Sequence, residues 1–549
     1  MGRSPRKDLT AGLTVAIVAL PLALGFGISS GAGAEAGLVT AVIAGTVAAV
    51  FGGSNLQVTG PTGAMTVVLV PIVHRYGLNG VLTVGLLAGV LLIVLALARA
   101  GRWMAYVPVP VVEGFTLGIA AVIALQQVPA ALGVKAPAGD NPAVVAARAA
   151  RDFAADPGWT AALMAAGVVA LMLLGARLRP SVPFSLVAVV LATLLVRSAH
   201  LHVATIGHLP AGLPAPSLSF VEAGQVLGLL PSALAVAVLA ALESLMSASA
   251  ADAMSVAERH DSNRELFGQG LANLAAPLFG GVAATGAIAR TAVNVRTGAV
   301  SRLSALVHAA VLMVIVLAAA PLVAGIPLAA LAGVLIATAV RMVEVGSLRA
   351  LARSGRGEAL VMGLTAVVTL ASTLVNAVIV GLLAAGVLAL RQVARAARLD
   401  QVPLYADLIP ADHHEEEQRL LAEHIVAYRI DGPLLFTAAH RFLLELTEQA
   451  DIRVVILRMS RVSALDSSGA KVLGDAIDKL SRRGTLVLVS GVREDHRSRL
   501  NALGVLDRLH EAGRVFPGTP EAIAYARAHL HGTGLLPDPP HPEQAAAVR

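Results

Sequence analysis

The sequence has no cysteine among its 549 residues. Disulfides, thiolate catalysis and cysteine-ligated metals are thereby excluded. Charged residues make up only 14% of the chain and aromatic residues 3%, where a soluble globular domain carries about 25% charge. So little charge excludes an ordinary soluble enzyme. The motifs of nucleotide and hydrolytic chemistry are missing as well. No GxxxxGK[ST] loop occurs, and no nucleophile elbow, HExxH helix or dinucleotide fingerprint stands in a fitting context. Neither an ATP-driven pump nor an enzyme is expected.

What the sequence has in abundance is apolar length. Hydrophobic residues are 56% of the chain and mean hydropathy is +0.76. The net charge of +6 is unevenly spread. Residues 1–396 hold 23 of the 41 basic and 14 of the 35 acidic residues, and the balance reverses in the remainder. An apolar, basic body is followed by a mildly acidic tail. The pI near 10 then reflects basic loops flanking membrane spans, and no nucleic acid partner is expected. The opening MGRSPRKDLT leads into an apolar run containing Pro21, Gly25 and Gly27. It reads as a retained first span rather than a cleaved signal peptide.

Crossing a bilayer takes about 20 apolar residues. Such windows predict seven segments at 9–29, 36–52, 61–73, 79–99, 107–128, 159–178 and 183–199. Seven more follow at 226–251, 264–280, 286–298, 301–320, 327–342, 357–375 and 376–396. The third member of each set, 61–73 and 286–298, is too short to span alone. Each follows a matching phrase: Phe51-Gly52-Gly53 then Thr59-Gly60, and Phe279-Gly280-Gly281 then Thr285-Gly286. Short Gly/Pro-interrupted segments at equivalent places in two halves point to a transport site at an inverted repeat. Two half helices starting at mid-membrane would aim unpaired N–H groups and two positive dipole ends at one place, where an anion can bind. The residues at these starts are Pro61, Thr62 and Gly63, and Ala287, Ile288 and Ala289. With the N-terminus inside, 17 basic residues fall on the cytosolic side and 5 outside, as the positive-inside rule requires. This predicts a multi-pass protein of the inner (plasma) membrane with both termini cytoplasmic.

Among the charges inside these segments, two stand out in otherwise uncharged stretches, Arg290 and Glu243. A charge at the bilayer centre costs at least ~2.5–3.5 kcal/mol, so it normally has a task. Arg290 is read as a fixed positive charge beside the anion, against the alternative that it snorkels to the cytosolic face. Glu243 lies in the apolar run 233–251, with Ser247 one turn on and on the same face. It is read as a carboxyl that takes up H⁺ as the anion enters. The alternatives are a Na⁺ site made with Ser247, or a static counter-ion to Arg290. H⁺ ranks first because Glu243 has few polar neighbours in sequence for a Na⁺ cage. Glu113 is placed near the inner surface. Gln126, Gln127, His308 and Asn376 are read as packing hydrogen-bond formers, and Asp252, Glu258 and Asp261 as solvated.

The tail differs. The run 412–417 (DHHEEE) reads as a solvated stretch rather than a metal site. From about 422, strands at 425–430, 434–436, 454–459 and 485–490 alternate with helices at 440–449, 469–482, 494–503 and 520–530. This predicts an α/β domain over 422–535, with 397–421 as a linker and 536–549 as a disordered tail. The loop 463–469 caps the helix after it. Its Ser467 and Ser468 are regulatory candidates, because a phosphate there would meet a helix N-terminus.

Four stretches stand in a distinctive order: DLTAGLTVAIVALPLALGF at 8–26, Gly60-Pro61-Thr62, ARTAVNVRTGA at 289–299, and Asp466-Ser467-Ser468-Gly469. On these the chain resembles the bacterial sulfate permease (SulP) family of anion transporters, and its tail resembles a STAS domain. The resemblance implies an α-helical polytopic membrane protein of 14 segments, built as two inverted seven-segment repeats (about 1–200 and 222–396). A core and a gate domain move against one another, and a cytosolic α/β STAS domain follows. It also implies that Leu22 and Phe26 line the anion site, that the protein is a homodimer, and that a cytosolic partner meets the STAS domain. No cofactor is expected beyond H⁺ or Na⁺ as the coupling ion. The leading reading is proton-coupled symport of a dicarboxylate or a small inorganic anion (sulfate, bicarbonate) by alternating access. The alternatives are a Na⁺-coupled bicarbonate symporter, an anion exchanger, a nucleobase permease of similar fold, and a membrane-anchored sensor whose transport is vestigial.

Overall fold

The computed structural model describes residues 4–102, 107–139, 141–179, 182–207, 209, 212–255, 259–372, 374–396, 398–402, 423–435 and 452–536. The chain divides into two compact units, Met1–Ala385 and Gly386–Arg549.

The first unit is helical. Its helices are α1 (Pro5–Ser29), α2 (Ala34–Phe51), α3 (Gly63–Leu97), α4 (Val109–Gln126), α5 (Val128–Leu132), α6 (Pro142–Ala155), α7 (Trp159–Leu178) and α8 (Phe184–Ser198). There follow α9 (Val226–Met254), α10 (Ser262–Leu278), α11 (Ile288–Arg296), α12 (Leu303–Ala318), α13 (Ala320–Ala324), α14 (Leu328–Met342), α15 (Val345–Ser354) and α16 (Arg356–Ala371). A further helix, α17 (Leu374–Ala396), runs across the unit boundary. Each expected segment coincides with helix, and eight stretches among the described residues are long and apolar enough to cross a bilayer by length and composition. The expected segments 61–73 and 79–99 are two helical stretches that meet at a kink at Gly77 (φ 67°, ψ −170°) within α3. The expected segment 286–298 is the nine-residue α11, too short to span.

Small residues let these helices pack closely. α1 lies against α2 and α12, and α10 against α2 and α3. A second group joins α4, α7, α14 and α16. In the first group the chain is extended at two places, β1 (Thr59–Gly60) and β2 (Thr285–Gly286). They pair antiparallel, Thr59 with Gly286 and Gly60 with Thr285. Non-helical backbone at membrane depth is tolerated where protein surrounds it; all four residues are buried. The neighbouring N–H groups find partners. Ala287 N donates to Val58 O at 2.9 Å, Val58 N to Thr291 Oγ1 at 3.0 Å and Gly286 N to Ser244 Oγ at 3.0 Å.

The second unit holds a six-stranded sheet: β3 (Arg398–Val402), β4 (Ile425–Leu434), β5 (Val454–Arg458), β6 (Val462–Leu465), β7 (Leu486–Ser490) and β8 (Val515–Phe516). Its order is β3-β4-β5-β7-β8, with β6 beside β4; only the β3–β4 pair is antiparallel. One layer of its core comes from α18 (Ser467–Arg482), α19 (Glu494–Ala502) and α20 (Val505–Glu511), the other from α21 (Thr519–Gly532). Two expectations change here. Residues 425–434 form one strand, because Asp431-Gly432-Pro433 only shifts its register against β6. The expected linker begins with a strand, β3, which pairs with β4. The run 412–417 and the expected helix 440–449 lie outside the described residues.

Candidate functional site

The extended pair brings the starts of α3 and α11 together. Thr62 is the N-cap of α3, and its hydroxyl accepts from Met65 N at 3.4 Å. Thr62 Oγ1 donates to Glu243 Oε2 on α9 at 2.7 Å. Thr285 Oγ1, arriving from β2, donates to the same carboxylate oxygen at 2.7 Å. The two hydroxyls lie 3.1 Å apart. Glu243 is half-buried, and its Oε1 accepts no hydrogen bond among the described residues. One acidic side chain therefore touches the backbone approaches of both half helices, with one oxygen engaged and one available.

Ser247 does not complete a site with Glu243. It is buried, and its hydroxyl lies 3.0 Å from Thr291 Oγ1, the group that takes the Val58 N–H. Ser244 holds Gly286 N. Both serines brace the extended pair.

Arg290 neither snorkels to the surface nor faces the open side of α11. It is 1% exposed, and its Nη2 donates to the Pro61 carbonyl. Its Nη1 fills the space that a β-carbon on residue 60 would need. The Gln57 amide fills the corresponding space at Gly286. The guanidinium sits beneath the start of α3 and acts on Glu243 through space, without a direct ion pair. The residues on the open side of α11 are Ile288 and Ala289, with Ala287 buried. At α3, a β-carbon on Gly63 would collide with Ile123 of α4 and lie in tight contact with Phe26 of α1. Phe26 and Leu22 are both buried. Phe26 and Ile123 thus cover the start of α3. Thr62, Thr285 and Glu243 therefore meet where the two helices start, and Arg290 lies buried beside them on the Pro61 carbonyl.

Thr285, Ser244 and Thr291 were not assigned roles from the sequence, although the matched Thr-Gly phrase marks Thr285. Other polar residues of the membrane part have specific partners. Gln127 Nε2 donates to Ser29 Oγ at 2.9 Å, and Glu113 Oε1 accepts from Ser347 Oγ at 2.7 Å. Asp252, expected to be solvated, lies 2.7 Å from His260 Nδ1, while Asp261 caps α10. Glu258 lies outside the described residues. His308 departs from the packing role expected of it: neither ring nitrogen has a hydrogen-bond partner among the described residues. In the second unit Asp466 caps α18, accepting from Gly469 N at 2.6 Å, and Ser467 and Ser468 are exposed on its first turn.

Comparison with known proteins bears on this arrangement. The sulfate permease family model matches residues 6–365, and the STAS domain model matches 420–522. The putative sulfate transporter YvdB of Bacillus subtilis is 34% identical over 517 residues, 92% of this chain and 94% of that one. The bicarbonate transporter BicA of Picosynechococcus sp. is 32% identical over 531 residues, 92% of each chain. The solved transmembrane domain of a cyanobacterial BicA superposes with a TM-score of 0.62 at 34% identity, covering 70% of this chain and 98% of that one. Murine Slc26a9, an anion transporter solved in its inward-facing state, gives a TM-score of 0.81 at 17% identity, covering 95% and 91%. That last likeness is one of fold.

Proposed function

The chain belongs to the sulfate permease family, and from that membership we propose that it is a secondary active transporter of a small oxyanion, sulfate or bicarbonate, coupled to cation entry at Glu243. The observation that carries the reading is the shared oxygen. Glu243 Oε2 takes a hydrogen bond from Thr62 at α3 and from Thr285 before α11. A change of charge on this one carboxylate alters both half-helix starts at once. Anion binding at those starts is favoured by their N–H groups and dipoles. The coupling ion and the anion are then linked through two hydroxyl groups.

H⁺ is the first candidate for the coupling ion, because Glu243 Oε1 is free to take a proton. A specific observation favours Na⁺ as the second reading. Glu243, Thr62 and Thr285 present three oxygen-bearing side chains within hydrogen-bond distance of one another, more than the sequence suggested. Sulfate and bicarbonate are preferred to a dicarboxylate because the relatives above carry those two names. A homodimer with both termini cytoplasmic is part of the same reading and rests on the resemblance and on the charge asymmetry of the loops.

Uptake into proteoliposomes tests the proposal. Radiolabelled sulfate and bicarbonate are supplied under an inward H⁺ gradient, an inward Na⁺ gradient, or neither. Accumulation of either anion above its equilibrium level under one gradient is the expected result. Exchange without accumulation under any gradient would overturn the coupling, and movement of uracil but of neither anion would overturn the anion reading.

A further inference from the structure

The polar seam continues behind the site. Asn294 Nδ2 on α11 donates to Ser304 Oγ on α12 at 2.9 Å. Residues four apart on a helix stack on one face. One turn back along α11 from Asn294 stands Arg290; one turn forward along α12 from Ser304 stands His308. The Asn294–Ser304 hydrogen bond thus joins the two helices one turn from Arg290 and one turn from His308. Both side chains are buried, at 1% and 0% exposure, and the charge of Arg290 acts on the His308 ring.

The unpaired atoms of this seam are complementary. Among the described residues, Arg290 Nη1, Asn294 Oδ1 and both ring nitrogens of His308 have no partner. A guanidinium only donates, an amide oxygen only accepts, and a neutral imidazole does one of each. Buried polar atoms left unpaired are costly, and a buried water needs two to four polar partners. These four atoms supply donors and acceptors of both kinds.

We propose that His308 is a positioning residue for Arg290. A ring nitrogen of neutral His308 accepts the Arg290 Nη1 hydrogen through one bridging water, which also donates to Asn294 Oδ1. The guanidinium is thereby held from behind while Nη2 stays on the Pro61 carbonyl. Its charge then remains under the starts of both half helices. His308 touches no substrate, and it works only while the ring is uncharged, since a second cation would repel the first. This inference rests on the anion site described above.

The test separates affinity from turnover in full-length protein in proteoliposomes, with radiolabelled sulfate and bicarbonate. Replacing the ring by an apolar group of similar bulk, His308→Leu, is expected to raise KM about tenfold with the maximal rate nearly unchanged. His308→Gln keeps a donor and an acceptor and is expected to stay within about threefold of wild type. His308→Leu added to Arg290→Gln is expected to cost nothing beyond Arg290→Gln alone, because the residue has then lost its client. An unchanged KM in His308→Leu, equal impairment by Leu and Gln, or effects that multiply with Arg290→Gln would each overturn the proposal. If His308→Leu does not fold, His308→Asn, polar but too short to reach, takes its place with the same expectations. An Arg290→Gln protein with unchanged KM for both anions would instead sink the site reading on which this one stands.

Discussion

The Nη1 group of Arg290 occupies the position that a β-carbon on Gly60 would take. The charge and the strand are thus fitted to one another: Nη1 lies against Gly60 while Nη2 donates to the Pro61 carbonyl. Gly60→Ala is expected to displace the guanidinium. Overpacking of this kind costs about 1–3 kcal/mol, so thermal unfolding in detergent should shift downwards. The anion KM should also rise in proteoliposome uptake. In an Arg290→Gln background, where the crowding is relieved, the alanine should cost little. An alanine equally harmful in both backgrounds would show that Gly60 serves the backbone rather than the arginine.

Glu243 makes a separate prediction. Glu243→Gln keeps an oxygen for Thr62 and Thr285 but cannot carry a charge. Anion exchange across the membrane should survive, while accumulation driven by the H⁺ or Na⁺ gradient should fall to background. Retained gradient-driven accumulation in Glu243→Gln would remove this carboxyl from the coupling step.

Thr285 gives a finer test of the shared oxygen. Thr285→Val removes one of the two hydroxyls on Glu243 Oε2, a loss of about 1.5–3 kcal/mol for a hydrogen bond to a charged group. The concentration of coupling ion needed for half-maximal uptake should move about tenfold or more. Thr285→Ser should restore it. If Val and Ser behave alike, the methyl packing of Thr285 matters and its hydroxyl does not.

Much of this was legible in the sequence. Hydropathy and charge placed the helices, because apolar length and basic loops are one-dimensional signals. The two Thr-Gly phrases located the half helices, because broken helices need small residues and a turn. What the sequence could not show was orientation. Arg290 stood out as a charge in an apolar stretch, and it is buried in the structure. A nine-residue helix can turn a side chain to either side, and Arg290 turns towards Gly60 and Pro61, some 230 residues away. Ser247 shares a helical face with Glu243 by spacing, yet Thr291 on another helix captures it. In the tail, β3 was hidden because a strand of Arg398-Leu399-Asp400-Gln401-Val402 has little apolar content and is specified by its pairing to β4.

Glu265 tests structure apart from transport. This buried residue of α10 accepts from Gly53 N at 2.8 Å and Ser54 N at 3.0 Å through Oε2, and from Gln269 Nε2 at 2.9 Å through Oε1. It ties α10 to the loop that leads into β1. Glu265→Gln must turn its NH₂ towards one of these donors, so thermal stability should fall by about 1.5–3 kcal/mol. The anion KM of the folded fraction should stay near wild type. A stable variant with a raised KM would mean that Glu265 acts on the site and not on the scaffold.

The second unit carries its own pH dependence. His496 on α19 is buried. Removal from water lowers its pKa below the usual value, Arg493 and Arg499 lower it further, and Asp495 opposes them. The folded domain therefore holds His496 neutral under conditions where the unfolded chain would protonate it. The unfolded state binds more protons below about pH 6.5, and stability must fall as pH drops through that window, levelling off below the folded pKa. Above it the contribution is complete. Amide hydrogen exchange in α19, corrected for the intrinsic pH effect, should be faster at pH 5.5 than at 7.5 in the wild type. In His496→Leu, with no titrating ring, that difference should shrink. A wild type and a variant that lose equal protection on acidification would assign the pH dependence to another group.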